Sequence, residues 1–175
     1  NYRMSNVIAG VIRGQIPYLK EHISQKKAIY ERYKEGFKDL PFIHMNPYDE
    51  QNSEPNFWLS CMIIDEDHMC KQVRGEQEPL FIAEHGKSCP TEILNAISSI
   101  NAEGRPIWKP MHMQPIYRMN PFVTVNGNGR AKTNAYIEGS GVDVGADIFN
   151  RGLCLPSDNK MTAEQQDRVI EVVKA

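Results

Sequence analysis

Apolar residues recur at helical spacing in two blocks near the start of the chain. Val7, Ile8, Val11 and Ile12 form the stripe of a short helix that Ser5 or Asn6 can cap and that Gly14 would end. Pro17 then suits the first turn of a second, longer helix. In it Leu19, Ile23, Tyr30, Tyr33 and Phe37 recur at intervals of four, seven, three and four, laying one stripe along about six turns. The opposite side carries Lys20, Glu21, Lys26, Lys27, Glu31, Lys34 and Glu35 and reads as a solvated face. Leu40-Pro41 closes the helix.

Beyond it the pattern shortens. Phe42 to Met45 is a short strand candidate, and a polar loop with two prolines runs from Asn46 to Asn56. Phe57 to Ile64, almost wholly apolar, is the strongest strand signal in the chain, and Asp65-Glu-Asp67 stops it. Residues 65–87 show little pattern beyond a possible strand at Leu80 to Ile82. Pro90 opens another helix, with Ile93, Leu94, Ile97 and Ile100 on one face and Gly104 as the expected left-handed terminator. Asn120 to Gly141 reads as a long loop. Within it Gly127-Asn-Gly129 resembles the start of a dinucleotide fingerprint but lacks the third glycine, a preceding strand and a following helix. Val144 to Asn150 reads as a short helix ended by Gly152, and Gly152 to Leu155 as a strand stopped by Pro156. Thr162 and Gln165 form a capping box for a last helix, whose core face uses Val169, Val172 and Val173. Helices alternating with strands too short for parallel crossovers predict an α+β sandwich with helices on one face of a small sheet.

Composition narrows this picture without overturning it. At 175 residues the chain holds one sizeable domain, and 41% hydrophobic and 24% charged residues with a mean hydropathy of −0.50 are ordinary for a soluble protein. A net charge of −2 gives no footprint for nucleic acid or an anionic membrane. Residues 1–39 nevertheless hold eight Lys/Arg against four Asp/Glu, a basic segment able to face anionic ligands, though a solvated helix face explains it equally well. There is no apolar run near 18 residues and no signal peptide, so a cytoplasmic location is expected. Cys61, Cys70, Cys89 and Cys154 are widely spaced, which suggests neither a zinc site nor a disulfide framework. The chain opens on Asn1 and stops at Ala175 inside a helical pattern, and it reads as a piece of a longer protein.

The richest chemistry lies in Arg105-Pro-Ile-Trp-Lys-Pro-Met-His-Met-Gln-Pro115. Three prolines within ten residues fix φ and deny the segment a helix or an inner sheet position. Between them Arg105, Lys109, His112 and Gln114 supply two cations, an imidazole and an amide, for which an anionic ligand is the natural guest. A proline-stiffened edge strand, with Trp108 and the Met side chains covering a core, is the structural alternative. His22 and His44 sit on elements that already make sense and read as structural or solvated. His68 and Cys70 near Asp65 and Asp67 imitate a metal site but lack a matching second cluster. No serine occupies an elbow motif and no Cys–His pairing is evident, so a nucleophilic triad cannot be assembled.

Asn1-Tyr-Arg-Met-Ser-Asn6, the Arg105–Pro115 stretch, Arg151-Gly-Leu-Cys-Leu-Pro-Ser157 and Met161-Thr-x-Glu-Gln-Gln-Asp-Arg-Val169 occur in this order. Together they resemble the C-terminal part of the DegT/StrS-type nucleotide-sugar aminotransferases, fold-type-I enzymes dependent on pyridoxal 5′-phosphate (PLP). The Trp-Lys-Pro-Met-His-Met-Gln-Pro variant most resembles members that make 4-amino sugars on UDP carriers. The resemblance implies a large PLP-binding domain upstream. It makes residues 1–39 linking helices and residues 40–175 a small C-terminal α+β domain, with a short, mostly antiparallel sheet. None of the eleven lysines matches the family's Schiff-base lysine, so no catalytic residue is expected in this chain and the fragment alone is expected to be inactive.

By the same resemblance Asn1 reaches the cofactor phosphate of the partner subunit of a homodimer, and Arg3 lies beside it near the bound nucleotide-sugar. Lys109, His112 and Gln114 line the sugar–pyrophosphate side of the pocket, with His112 the most direct contact. The implied parent moves an amino group from an amino-acid donor, L-glutamate, to a UDP-linked 4-keto-sugar. Two alternatives stay open: a PLP-dependent sugar dehydratase or oxidative deaminase of the same family, and a non-catalytic regulatory or binding module.

Overall fold

The structure is a computed structural model, and it describes residues 2–74, 79–117, 119–120, 123–124, 127–128 and 143–175. Helix α1 (Asn6–Gln15) is capped as the sequence predicts, the Ile8 N–H donating to Ser5 Oγ at 3.3 Å. Pro17 sits in a single 3₁₀ turn (Ile16–Tyr18), and α2 (Leu19–Gly36) follows without a gap. Next come β1 (Ile43–Met45), β2 (Ser60–Ile64), β3 (Gln72–Arg74) and β4 (Pro79–Phe81), then α3 (Pro90–Ser99). Strands β5 (Arg105–Pro106), β6 (Val123–Thr124) and β7 (Gly127–Asn128) precede α4 (Val144–Arg151), β8 (Gly152–Leu155) and α5 (Ala163–Lys174). The main sheet has the order β1-β2-β8-β5 and every neighbouring pair is antiparallel.

The predicted α+β architecture holds, with α2, α3 and α5 layered on one face of the sheet. Met62, Ile64, Leu153 and Leu155 point from one sheet face into a core shared with Ile29, Tyr33 and Phe37 of the α2 region, Ile93 and Ile97 of α3, and Val169 and Ile170 of α5. Two of the polar groups drawn into this core are bonded. The Tyr33 hydroxyl donates to the Pro156 carbonyl at 2.8 Å, and buried Gln166 donates to the Ile29 carbonyl at 2.7 Å. Desolvation by burial pushes the Tyr33 pKa up, so the hydroxyl keeps its proton for that bond. The capping box of α5 is complete, with both Thr162 and Gln165 engaged. The stripe of α2 divides: Tyr30 and Tyr33 are buried near its C-terminal end, whereas Leu19 at its start is exposed. Helix α1 buries none of its residues, and Val7, Ile8, Val11 and Ile12 stand between 46% and 76% exposed.

Several expectations shift in detail, and α1 runs through Gly14, its expected end, to Gln15. Strand β2 begins at Ser60 rather than Phe57, because Phe57 takes a positive φ of 52° to bury its ring against Tyr30 and Tyr48, 5.4 and 5.1 Å away. The left-handed residue after α3 is Asn101 (φ 60°), not Gly104. Gly104 serves a close approach instead: a Cβ there would stand 2.8 Å from Leu94 and 3.1 Å from the Cys154 carbonyl oxygen. Gly127-Asn128 belongs to a two-residue strand paired with β6. The rest of the expected loop from Asn120 to Gly141 lies largely outside the described residues.

Strand alternation places Cys61, Ile63, Gly152 and Cys154 on the sheet face away from that core. The Cys61 N–H and C=O both turn to Asn46 on the β1 side, at 2.9 Å each. Cys61 and Cys154 are therefore a non-hydrogen-bonded pair across β2 and β8, the kind whose side chains approach most closely. Their sulfurs are 3.6 Å apart as free thiols. The hydrogen bond between the two thiols lowers the pKa of Cys61 and raises that of Cys154. Hydrogen peroxide is expected to join them, two thiols and one peroxide giving one disulfide and two waters. Peptide mapping after alkylation checks this: a Cys61–Cys154 cross-link, lost in Cys61→Ser, is the expected result, and a cross-link through Cys70 or Cys89 instead contradicts it.

Candidate functional site

The proline-rich stretch is built onto the sheet edge. Arg105 and Pro106 pair with Cys154 and Leu153 as the outermost strand, the sheet position that tolerates a residue without an N–H. A Cβ on Gly152 would meet Ile107 at 2.9 Å and Ile63 at 3.2 Å, so Ile107 packs over the sheet face opposite the helical core. Trp108 follows, 62% exposed, its ring 5.7 Å from that of Trp58, which is equally open at 63%. Two 3₁₀ turns, Met111–Met113 and Pro115–Tyr117, then fold the chain back, closed by Met113 N–H to the Pro110 carbonyl (2.9 Å) and Tyr117 N–H to the Gln114 carbonyl (2.9 Å). The stretch begins as an edge strand, as the structural alternative has it, but Trp108 and Met111 are exposed and cover no core here, and it continues as two tight turns carrying polar groups.

Within that turn the side chains take distinct positions. Arg105 is exposed and forms an ion pair with Glu103 at 2.6 Å, a contact worth little in water. Gln114 Nε2 donates to the Lys109 carbonyl at 3.1 Å, committing one amide hydrogen to the loop itself. His112 is turned inward, its Nε2 2.5 Å from Asp143 Oδ2. Asp143 is the N-cap of α4, and its other oxygen accepts the Ala146 N–H at 2.9 Å. Helix α4 is tied down at its far end as well. Arg151 forks onto Asp147 at 2.7 and 2.6 Å and reaches the Ile64 carbonyl of β2 at 2.7 Å. The hydrogen bond from Arg151, with its charge, holds the Asp147 carboxyl below its ordinary pKa.

Lys109, His112 and Gln114 therefore share one stiff turn. Arg3 is exposed two residues ahead of the Ser5 cap, and Asn1 lies outside the described residues. A separate cavity of about 740 Å3, lined among others by Asn101, Ser157, Lys160 and Arg168, contains none of these five residues. Among the described residues no group of three or more His, Cys, Asp and Glu could hold a metal ion, and no helix is long and apolar enough to cross a membrane. Sequence reading missed Asp143. An aspartate just ahead of a helix signals a cap, but nothing local links it to a histidine 31 residues earlier.

Residues 1–174 match the profile of the DegT/DnrJ/EryC1/StrS aminotransferase family. The chain belongs to that family. Among curated relatives, a putative pyridoxal phosphate-dependent aminotransferase, EpsN, of Bacillus subtilis (strain 168) is 31% identical over 173 residues, 99% of this chain and 36% of that protein. The fold of this family member is also that of solved structures. A putative sugar aminotransferase from Streptococcus pneumoniae in its PMP form superposes with a TM-score of 0.66 at 16% identity, over 98% of this chain and 35% of that one. PseC of Helicobacter pylori, an aminotransferase involved in the biosynthesis of pseudoaminic acid, gives 0.67 at 12% identity, over 99% of this chain and 38% of that one. The chain thus spans a little over a third of the length of each of these three proteins.

Proposed function

We propose that this chain is the C-terminal part of a cytoplasmic, homodimeric, PLP-dependent aminotransferase that transfers an amino group from L-glutamate to a UDP-linked 4-keto-sugar in polysaccharide or glycan biosynthesis. The observation that carries the reading is the proline-stiffened turn of a sugar-aminotransferase family member, which gathers an ammonium, an imidazole and an amide. Residues 1–39 act as the link to a PLP-binding domain upstream, and residues 40–175 as the small domain. The uncovered apolar stripe of α1 supports this division, since a stripe of that exposure calls for cover from elsewhere in the protein.

PLP, when bound, supplies the electron sink for amino-group transfer. Asn1 and Arg3 are the residues of this chain assigned to anionic groups of the bound molecules across the dimer. Arg3 suits that role, because it is exposed two residues ahead of the α1 cap and a guanidinium can fork onto phosphate oxygens. Lys109, His112 and Gln114 line the sugar–pyrophosphate side. Lys109 contributes charge, His112 a hydrogen bond of fixed direction, and Gln114 the closure of the turn that presents them. These groups act far from the reacting carbonyl, so their binding energy serves to position it.

The test uses the full-length protein. Incubation with PLP and then L-glutamate is expected to shift the absorption spectrum to the amine form of the cofactor, and the 175-residue chain alone is expected to show no transamination. His112→Ala should raise KM for the UDP-keto-sugar about tenfold or more, in line with the loss of one charge-assisted hydrogen bond. A full-length protein that gives no spectral shift would point to a binding module, and a spectral change accompanied by loss of a sugar hydroxyl or of ammonia to the dehydratase or deaminase.

A further inference from the structure

The carboxylate at the start of α4 does two jobs with its two oxygens. Asp143 Oδ1 caps the helix through the Ala146 N–H at 2.9 Å, and Oδ2 lies 2.5 Å from His112 Nε2. Capping alone would be served as well by serine or asparagine, neither of which offers a second anionic oxygen. The imidazole and carboxylate are only 13% and 16% exposed, so this contact is shielded from the water that weakens a surface pair. The two elements also touch directly, because a Cβ on Gly145 would stand 3.3 Å from Pro110 Cγ. Arg151 locks the other end of α4 to Asp147 and to the Ile64 carbonyl of the sheet. The carboxylate is thereby fixed in space by a helix that is itself fixed to the scaffold.

We propose that Asp143 is the positioning residue of the sugar-nucleotide site, holding the His112 ring in one orientation and one tautomer. A carboxylate has no hydrogen to give, so the shared hydrogen sits on Nε2 in either charge state of the ring, and Nδ1 donates to a ligand only when the ring is protonated. Without the contact one restraint on the imidazole is lost, and its bond to a diphosphate-linked sugar must bear more of the ordering cost. Asp143 acts through His112 and touches no ligand itself. The inference rests on the reading of His112 as a ligand contact.

A double-mutant cycle on the full-length protein separates the two claims. Calorimetric titration with UDP, TDP and GDP selects the nucleoside diphosphate that binds best, which then serves as the probe for wild type, His112→Ala, Asp143→Ser and the double variant. Serine keeps the cap but is too short to reach the ring. Asp143→Ser is expected to weaken binding about fivefold to tenfold in the wild-type background and to have no further effect once His112 is alanine. Its thermal midpoint should stay near wild type, because the cap is preserved. Should the midpoint fall, Asp143→Asn, of equal size and equally a cap, goes through the same cycle and is expected to cost about threefold from loss of the charge-assisted bond. Weakening that persists in the His112→Ala background, or none in either background while His112→Ala itself binds poorly, overturns the role of Asp143. If His112→Ala binds the probe as well as wild type, or no nucleotide binds, the reading of His112 falls first and the proposal with it.

Discussion

Replacing Tyr33 by alanine is expected to destabilise the domain by about 3–5 kcal/mol, as for other large aromatic deletions in a closed core. Tyr33 is fully buried at the centre of the helical layer, and its ring lies stacked on Phe37 at 5.9 Å. Its hydroxyl reaches the Pro156 carbonyl at the end of the central strand β8. The truncation removes packing and also leaves that carbonyl without its donor. Urea unfolding of the 175-residue chain, followed by the fluorescence of Trp58 and Trp108, measures the loss. Tyr33→Phe is the control: it keeps the ring, gives up the 2.8 Å hydrogen bond, and should cost only about 1 kcal/mol. Equal costs for the two variants would mean that the ring is not where the cohesion of α2 with the sheet resides.

Gly152→Ala is expected to cost near the upper end of about 1–3 kcal/mol, the range for overpacking. The reason is space and not backbone freedom, since Gly152 has an ordinary extended φ of −112°. An added Cβ would stand 2.6 Å from the Ile148 carbonyl oxygen, 2.9 Å from Ile107 and 3.2 Å from Ile63. The isoleucines can give way by changing rotamer, but the carbonyl belongs to the last turn of α4. Relief there must shift α4, or β8 against its two neighbouring strands. The substitution should therefore lower the unfolding midpoint and, in the full-length protein, also weaken nucleotide binding, because Ile107 and α4 together set the position of His112. A midpoint unchanged from wild type would show that α4 and the proline-rich stretch do not press on β8 from that side.

Local signals identified much of this molecule. The spacing of Ile93 and Ile97, the Thr162–Gln165 capping box and the Ser5 cap each predicted a helix at its right place, because helix formation answers to neighbours three and four residues apart. The three prolines marked the one stretch that would be stiff and irregular, and it proved to be an edge strand running into two tight turns. Where prediction slipped, a distant partner had intervened. Phe57 leaves the strand pattern to join the rings of Tyr30 and Tyr48, and Gly104 is small because Leu94 and the Cys154 carbonyl crowd it.

The sequence by itself determined the helices and the apolar core face of β2, which are written in short-range spacing, and its ordered motifs carried the resemblance to the family that the profile match shows. Only the tertiary structure decided that β8 lies between β2 and β5, that Cys61 faces Cys154, and that the carboxylate of Asp143 closes on His112. Each of those pairings joins residues 31 or more positions apart, and which distant strand or side chain a segment meets depends on how the whole chain packs.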